Sequence, residues 1–120
     1  MVLPFSKVNK ELLTHLIVFV PSTKDVDVPI SDVEFNKRVK LTSSFLSSLF
    51  GGTTKVSGTG AYKSDAGKLV TERVAEVETF TEPSNYELKK GKLHKWLMDR
   101  KKDWGQENIA VEYEEDMYWI

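Results

Sequence analysis

Residues 84–104 read SNYELKKGKLHKWLMDRKKDW, and the fold turns on whether they form a helix. Ser84 with Glu87 fits a capping box after Pro83: the hydroxyl accepts from an early N–H while the glutamate reaches back. Tyr86, Leu93, Trp96, Leu97 and Trp104 fall on one side at helical spacing. Arg100, Lys101 and Lys102 suit the negative end of a helix dipole. Gly105 is placed to end the helix in a left-handed conformation. Gly91 weakens the middle by about 1 kcal/mol relative to alanine. The pattern predicts a helix over 84–104.

Outward from it, Leu69–Thr81 (LVTERVAEVETFT) predicts a long strand whose alternation slips around Val74–Ala75, through a bulge or a change of exposed face. Before it, Thr53–Lys63 reads as an irregular edge strand bent at Gly58 and Gly60, joined through a turn at Ser64–Gly67. Ser31–Phe50 predicts the other helix. Ser31 and Glu34 cap it, Phe35, Val39, Leu46, Leu49 and Phe50 form its apolar stripe, Leu41 and Phe45 widen that stripe, and Gly51 is its left-handed end. His15–Val20 (HLIVFV) is continuously apolar and suits a central strand. The loop Pro21–Ile30 follows it. Asn108–Tyr113 and Met117–Ile120 predict a terminal hairpin. Met1–Thr14 is a lead-in with a short helical turn around Val8–Leu13.

The order β-α-β-β-α-β, plus a short C-terminal strand, is the ferredoxin-like α+β pattern: an antiparallel sheet with both helices on one face and the first and third strands central. Another α+β topology with the same elements stays open. Residues 1–14 are the lead-in and 15–120 a single domain.

Composition narrows the function. The chain has 120 residues and no cysteine, which excludes disulfide scaffolds, thiol catalysis and cysteine metal sites. A net charge of −1 argues against a chain built to coat nucleic acid. The longest apolar run, Leu16–Val20, is too short to span a membrane, and the N-terminus lacks a signal-peptide pattern, so a cytoplasmic protein is expected. Two helices cover one face of the sheet, yet His15–Val20 is apolar on both. A homodimer or larger assembly would cover the open face. The alternative cover is the lead-in, through Leu3, Phe5, Leu12 and Leu13.

Five short signatures carry a resemblance: Val20–Thr23 (VPST), Phe50–Thr53 (FGGT), Gly60–Tyr62 (GAY), Gly67–Glu72 (GKLVTE) and Gly105–Glu107 (GQE). In these, residues 15–120 resemble a group of small bacterial proteins, some carried on mobile elements. The resemblance implies a ferredoxin-like fold and supplies no activity.

Candidate chemistry is sparse. His15 and His94 lie on different elements without metal-ligand spacing, so neither a metal nor a cofactor is implied. The serines of 31–50 have no partnered histidine. Phe50–Thr54 and Ser57–Gly60 offer backbone N–H groups but are not a P-loop. Glu72, Glu76 and Glu78 share one strand face; a carboxylate beside the Tyr62 hydroxyl can do acid–base work, or the face is simply solvated with Arg73 and lysines as counterions. Residues 84–104 carry seven basic and three acidic side chains, but the strands are acidic and lack exposed aromatic–basic recognition patterns.

The leading expectation is a non-enzymatic, homo-oligomeric binding or regulatory module for a small molecule or partner protein. Its surface would combine the Pro21–Ile30 loop with Gly51–Gly60. The candidate binding residues are Thr23, Gly51, Gly52, Thr53, Tyr62, Glu72, Gln106 and Glu107. One rival is an enzyme using Tyr62, Glu72 and Glu107. Another is a nucleic-acid-associated protein acting through Lys89–Lys102.

Overall fold

The computed structural model describes residues 13–25, 27–63 and 65–120. Most of the lead-in, with the turn expected at Val8–Leu13, lies outside them. The elements are β1 (Thr14–Pro21), β2 (Thr23–Lys24), β3 (Val28–Pro29), α1 (Asp32–Phe50), β4 (Thr53–Lys63), β5 (Leu69–Thr81), α2 (Pro83–Asp103), β6 (Ala110–Tyr113) and β7 (Asp116–Trp119). Five strands form one antiparallel sheet in the order β4-β5-β1-β6-β7, an arrangement compatible with a ferredoxin-like fold. The expected element order is amended by β2 and β3, which form a two-residue ribbon inside the Pro21–Ile30 loop.

Strand alternation decides what each face holds. Leu16, Val18 and Val20 of β1, with Ala75 and Val77 of β5, join the buried cluster formed with the helices. From the helices it receives Phe35, Val39, Leu46 and Leu49, and Leu93 and Leu97, with Trp104 added by the cap of α2. Phe45 is half-buried and stacks on Trp96 with centroids 4.5 Å apart, whereas Leu41 faces solvent rather than widening the stripe.

The helix ends show which local signals won. The Ser31 hydroxyl accepts from the Glu34 N–H at 3.1 Å, as expected. The second helix starts earlier than its capping box suggests. Glu82 is the N-cap, without a side-chain cap bond, and Pro83 takes the first turn. Proline's fixed φ and missing donor suit that position, so it outranks the serine. Asn85 instead ties the start of α2 to the end of α1, donating to the Leu49 carbonyl (3.2 Å) and the Thr81 hydroxyl (2.8 Å). Gly105 is left-handed at φ 60, and the Gly105 and Gln106 N–H groups bond back to the Lys102 and Lys101 carbonyls, a Schellman end. Gly51 has φ 99 but ψ −127, so it ends α1 outside the left-handed helical well.

The β4–β5 hairpin is more regular than its glycines suggest. Pairing runs unbroken from Thr53↔Thr79 to Lys63↔Leu69, through Gly58 and Gly60. No bulge occurs at Val74–Ala75 either. There β1 ends, at Pro21↔Val74, and the slip in alternation marks the point where helix cover stops. Beyond it, Thr59–Lys63 and Leu69–Arg73 continue as a two-stranded overhang.

Candidate functional site

Where β1 ends, the chain turns back on itself. The β2–β3 ribbon folds the loop, closed by a hydrogen bond from the Ile30 N–H to the Ser22 carbonyl at 3.0 Å. The loop then faces the overhanging hairpin, and the gap between them is a cleft of about 460 Å³. Ser22, Thr23, Asp27, Pro29 and Ile30 form one wall; Tyr62, Val70, Thr71, Glu72 and Arg73 form the other.

On the hairpin wall the register pairs Tyr62 with Val70 and Gly60 with Glu72. Tyr62 and Glu72 are therefore diagonal neighbours on one face, about 7–8 Å apart by ordinary sheet geometry. Arg73 points to the opposite face, where its guanidinium lies 4.7 Å over the Phe35 ring and 2.7 Å from the Asp32 carboxylate. It is not the counterion of Glu72 that a solvated glutamate face would call for. Further along the same face, Glu78 meets His15 at 2.7 Å, and His15 stacks on Phe80 at 4.5 Å. His15 is thus committed to a structural contact.

The loop wall is held from behind by residues from two other elements. Arg38 of α1 is 4% exposed and donates through Nη1 to the Pro21 carbonyl (3.0 Å) and the Thr23 carbonyl (2.8 Å). Its guanidinium lies 5.2 Å from the centre of the Trp104 ring. Burial lowers the pKa of this guanidinium, and nearby Glu34 opposes that shift. Gln106 donates from Nε2 to the same Thr23 carbonyl at 2.6 Å and to the Trp104 carbonyl at 2.9 Å.

The expected site residues divide accordingly. Thr23, Tyr62 and Glu72 come together in the cleft. Gln106 supports the wall from behind, and exposed Glu107 is not among the lining residues, so the proposed trio of Tyr62, Glu72 and Glu107 does not share one pocket. Gly51, Gly52 and Thr53 sit at the opposite end of β4, about 30 Å from Tyr62 at the rise of an extended strand. There they serve the α1–β4 turn: Ser47 and Thr53 hydroxyls bond at 3.1 Å, and the Thr79 hydroxyl donates to the Gly52 carbonyl at 2.9 Å. The expected surface joining Pro21–Ile30 to Gly51–Gly60 is therefore corrected to the loop and the far half of the hairpin. No sequence motif picks out Arg38; the signal for it is a charge at core spacing, between Phe35 and Thr42, both buried.

A second cleft, of about 390 Å³, lies between α2 and the β6–β7 hairpin and is mostly apolar, with Tyr86, Tyr113 and Tyr118 among its walls. Tyr86 and Tyr113 stack there at 4.8 Å. Among the described residues no group of three His, Asp or Glu side chains can hold a metal, and no helix is long and apolar enough to cross a membrane.

No protein-family model and no curated protein sequence matches the chain. Two solved structures share its fold. One is a phage SAM lyase in complex with S-methyl-5′-thioadenosine, at 19% identity and a TM-score of 0.61, covering 90% of this chain and 88% of that one. The other is a phage SAM lyase in its apo state, at 18% identity and a TM-score of 0.59, covering 89% and 87%. At that identity the likeness is one of fold. It still runs against the expected non-enzymatic module, since both structures of like fold are of a lyase, as the enzyme alternative would have it.

Proposed function

We propose that this protein is an enzyme that cleaves S-adenosylmethionine, releasing S-methyl-5′-thioadenosine, in the cleft between the Pro21–Ile30 loop and the β4–β5 hairpin. The observation that carries the reading is the convergence of Tyr62 and Glu72 in one cleft. The sequence offers these two, together with Glu107, as the rival acid–base set, and the neighbours of like fold are SAM lyases.

The chemistry suits the groups. In the thioadenosine the sulfur keeps its methyl and its 5′ carbon. The bond that breaks is therefore the one from sulfur to the amino-acid side chain. Its electron pair moves onto sulfur and cancels the sulfonium charge. A lyase adds no water, so the carbon left behind makes its new bond within its own fragment. It does so either by losing a proton from the adjacent carbon or by closing on that fragment's carboxylate. The substrate brings a sulfonium and an ammonium, both cationic. Glu72 supplies the opposing carboxylate, and serves as proton acceptor if the first route is taken. The Tyr62 hydroxyl, diagonal to it, orients the same substrate.

The test is direct. Purified protein incubated with S-adenosylmethionine should release S-methyl-5′-thioadenosine, resolved by chromatography and mass spectrometry. Glu72→Gln should cut the rate at least a hundredfold while the melting temperature of the free protein holds. Absence of product from the wild type, or full activity in Glu72→Gln, would sink the reading.

A further inference from the structure

We infer that Arg38 and Gln106 are positioning residues: together they grip the Thr23 carbonyl and hold the loop wall of the cleft in its working place. This rests on the proposed function for its catalytic consequence, but not for its geometry.

The Thr23 carbonyl is unusual in receiving two side-chain donors from separate elements, Arg38 of α1 at 2.8 Å and Gln106 beyond α2 at 2.6 Å. Each donor is itself anchored. Arg38 also holds the Pro21 carbonyl and lies over Trp104; Gln106 also holds the Trp104 carbonyl. Trp104 is 5% exposed and so fixed in the core. A third contact points the same way. A Cβ on Gly105 would lie 2.8 Å from the Asp25 backbone nitrogen, so the helix end and the loop are packed backbone to backbone.

Burying Arg38 with no carboxylate in ion-pair contact among the described residues is costly unless its N–H groups are used well. In the structure Nη1 is spent on loop carbonyls, while Nε has no hydrogen-bond partner among the described residues. A helix that needed only packing at this position would do better with a leucine. What the arginine adds is a fixed position for Pro21–Thr23, and Ser22 and Thr23 are the loop's buried contributions to the cleft. The grip also joins two of the sequence signatures, Val20–Thr23 and Gly105–Glu107, which lie far apart in the chain. Pre-organised walls of this kind matter because small misplacements of a substrate lose large factors in rate.

Gln106→Met keeps the length and removes the donor, and it spares the buried charge that Arg38→Met would also delete. Two readouts separate the claims. Amide hydrogen exchange at Ile30, whose N–H closes the loop onto Ser22, should quicken at least tenfold in Gln106→Met, with exchange at Val18 and Val77 unchanged. Thioadenosine formation should lose at least tenfold in kcat, with KM moving less than threefold. Arg38→Lys, which keeps one donor, should fall between wild type and Gln106→Met in both. Unchanged Ile30 exchange in Gln106→Met would overturn the grip. A loosened loop with full turnover would overturn the positioning role. If the wild type makes no thioadenosine, the functional reading fails, and the Ile30 exchange alone decides whether the grip exists.

Discussion

Three glycines offer the same substitution in three environments, and the expected effects differ in size and sign. Gly67 has φ 80 with open space where a Cβ would go. Gly67→Ala should therefore cost only the left-handed penalty, about 1 kcal/mol. Gly105 has φ 60 and a backbone nitrogen, Asp25 N, at 2.8 Å from the ideal Cβ. The same backbone penalty applies, and overpacking adds roughly 1–3 kcal/mol because a main-chain atom must move. Gly105→Ala should thus cost about 3 kcal/mol, on the order of a 10 °C fall in melting temperature for a domain of this size. Gly91 lies inside α2 with nothing near its Cβ position, so Gly91→Ala should stabilise by about 1 kcal/mol. Urea unfolding of all three against wild type gives the differences, provided the slope is unchanged. If Gly105→Ala were no worse than Gly67→Ala, the close packing of the α2 end on the loop, and with it much of the case for a fixed wall, would be refuted.

Other expectations are shorter to state. Glu114 and Glu115 form the β6–β7 turn at φ 50 and φ 71, a geometry that favours Asn-Gly. Glu114→Asn with Glu115→Gly should raise stability by about 1 kcal/mol in urea unfolding, and no gain would show the turn is not strained. The Tyr86 phenol is held above its ordinary pKa by burial and, after that, by nearby Tyr113. A folded-state value above the unfolded one leaves its stability intact below about pH 10 and removes it as pH rises through the folded value. Tyr86→Phe should then flatten the alkaline fall in melting temperature, and parallel curves would count against the assignment. On the open sheet face Val56, Phe80, Met117 and Trp119 are all more than 40% exposed, beside Glu76, Glu78 and Glu112. We propose a second copy as its cover, its basic α2 opposing those carboxylates; a 13.7 kDa species in sedimentation equilibrium at tens of micromolar (roughly where a standard interface holds) would contradict this.

The fold was legible because its signals are periodic. HLIVFV placed the central strand, and the stripes of 31–50 and 84–104 placed the helices, since burying a face requires apolar residues at set spacings. Local details were less legible where two signals competed. Ser84 and Pro83 both mark a helix start, and proline's fixed φ and missing donor decide for the earlier one. Gly58 and Gly60 suggest a bend, but full pairing with Val74 and Glu72 holds them straight. The site was half legible. Tyr62 and Glu72 could be matched because a hairpin fixes its own register. Thr23 was reached only as part of a long loop. The separation of Gly51–Thr53 from that loop depends on how far β4 runs, and Arg38's role depends on a contact across the fold that no spacing encodes.

The cleft itself comes from a mismatch of strand lengths. β5 has 13 residues and β1 has 8, so the hairpin outruns its neighbour. A two-stranded ribbon alone is marginal in water. Here its base is braced by Arg73 on Phe35 and Asp32, while no strand of the described residues pairs with its other side. The space that a longer β1 would have filled is taken by the folded-back Pro21–Ile30 loop. A loop can stand off from β5 as a paired strand cannot, because ladder hydrogen bonds would fix the backbones about 4.8 Å apart. Ending β1 at Pro21, just after a run of core residues, thus creates both the gap and the wall that faces Glu72. The cleft at this end of the sheet follows from where one strand stops, and Arg38 and Gln106 tie that stop to the core.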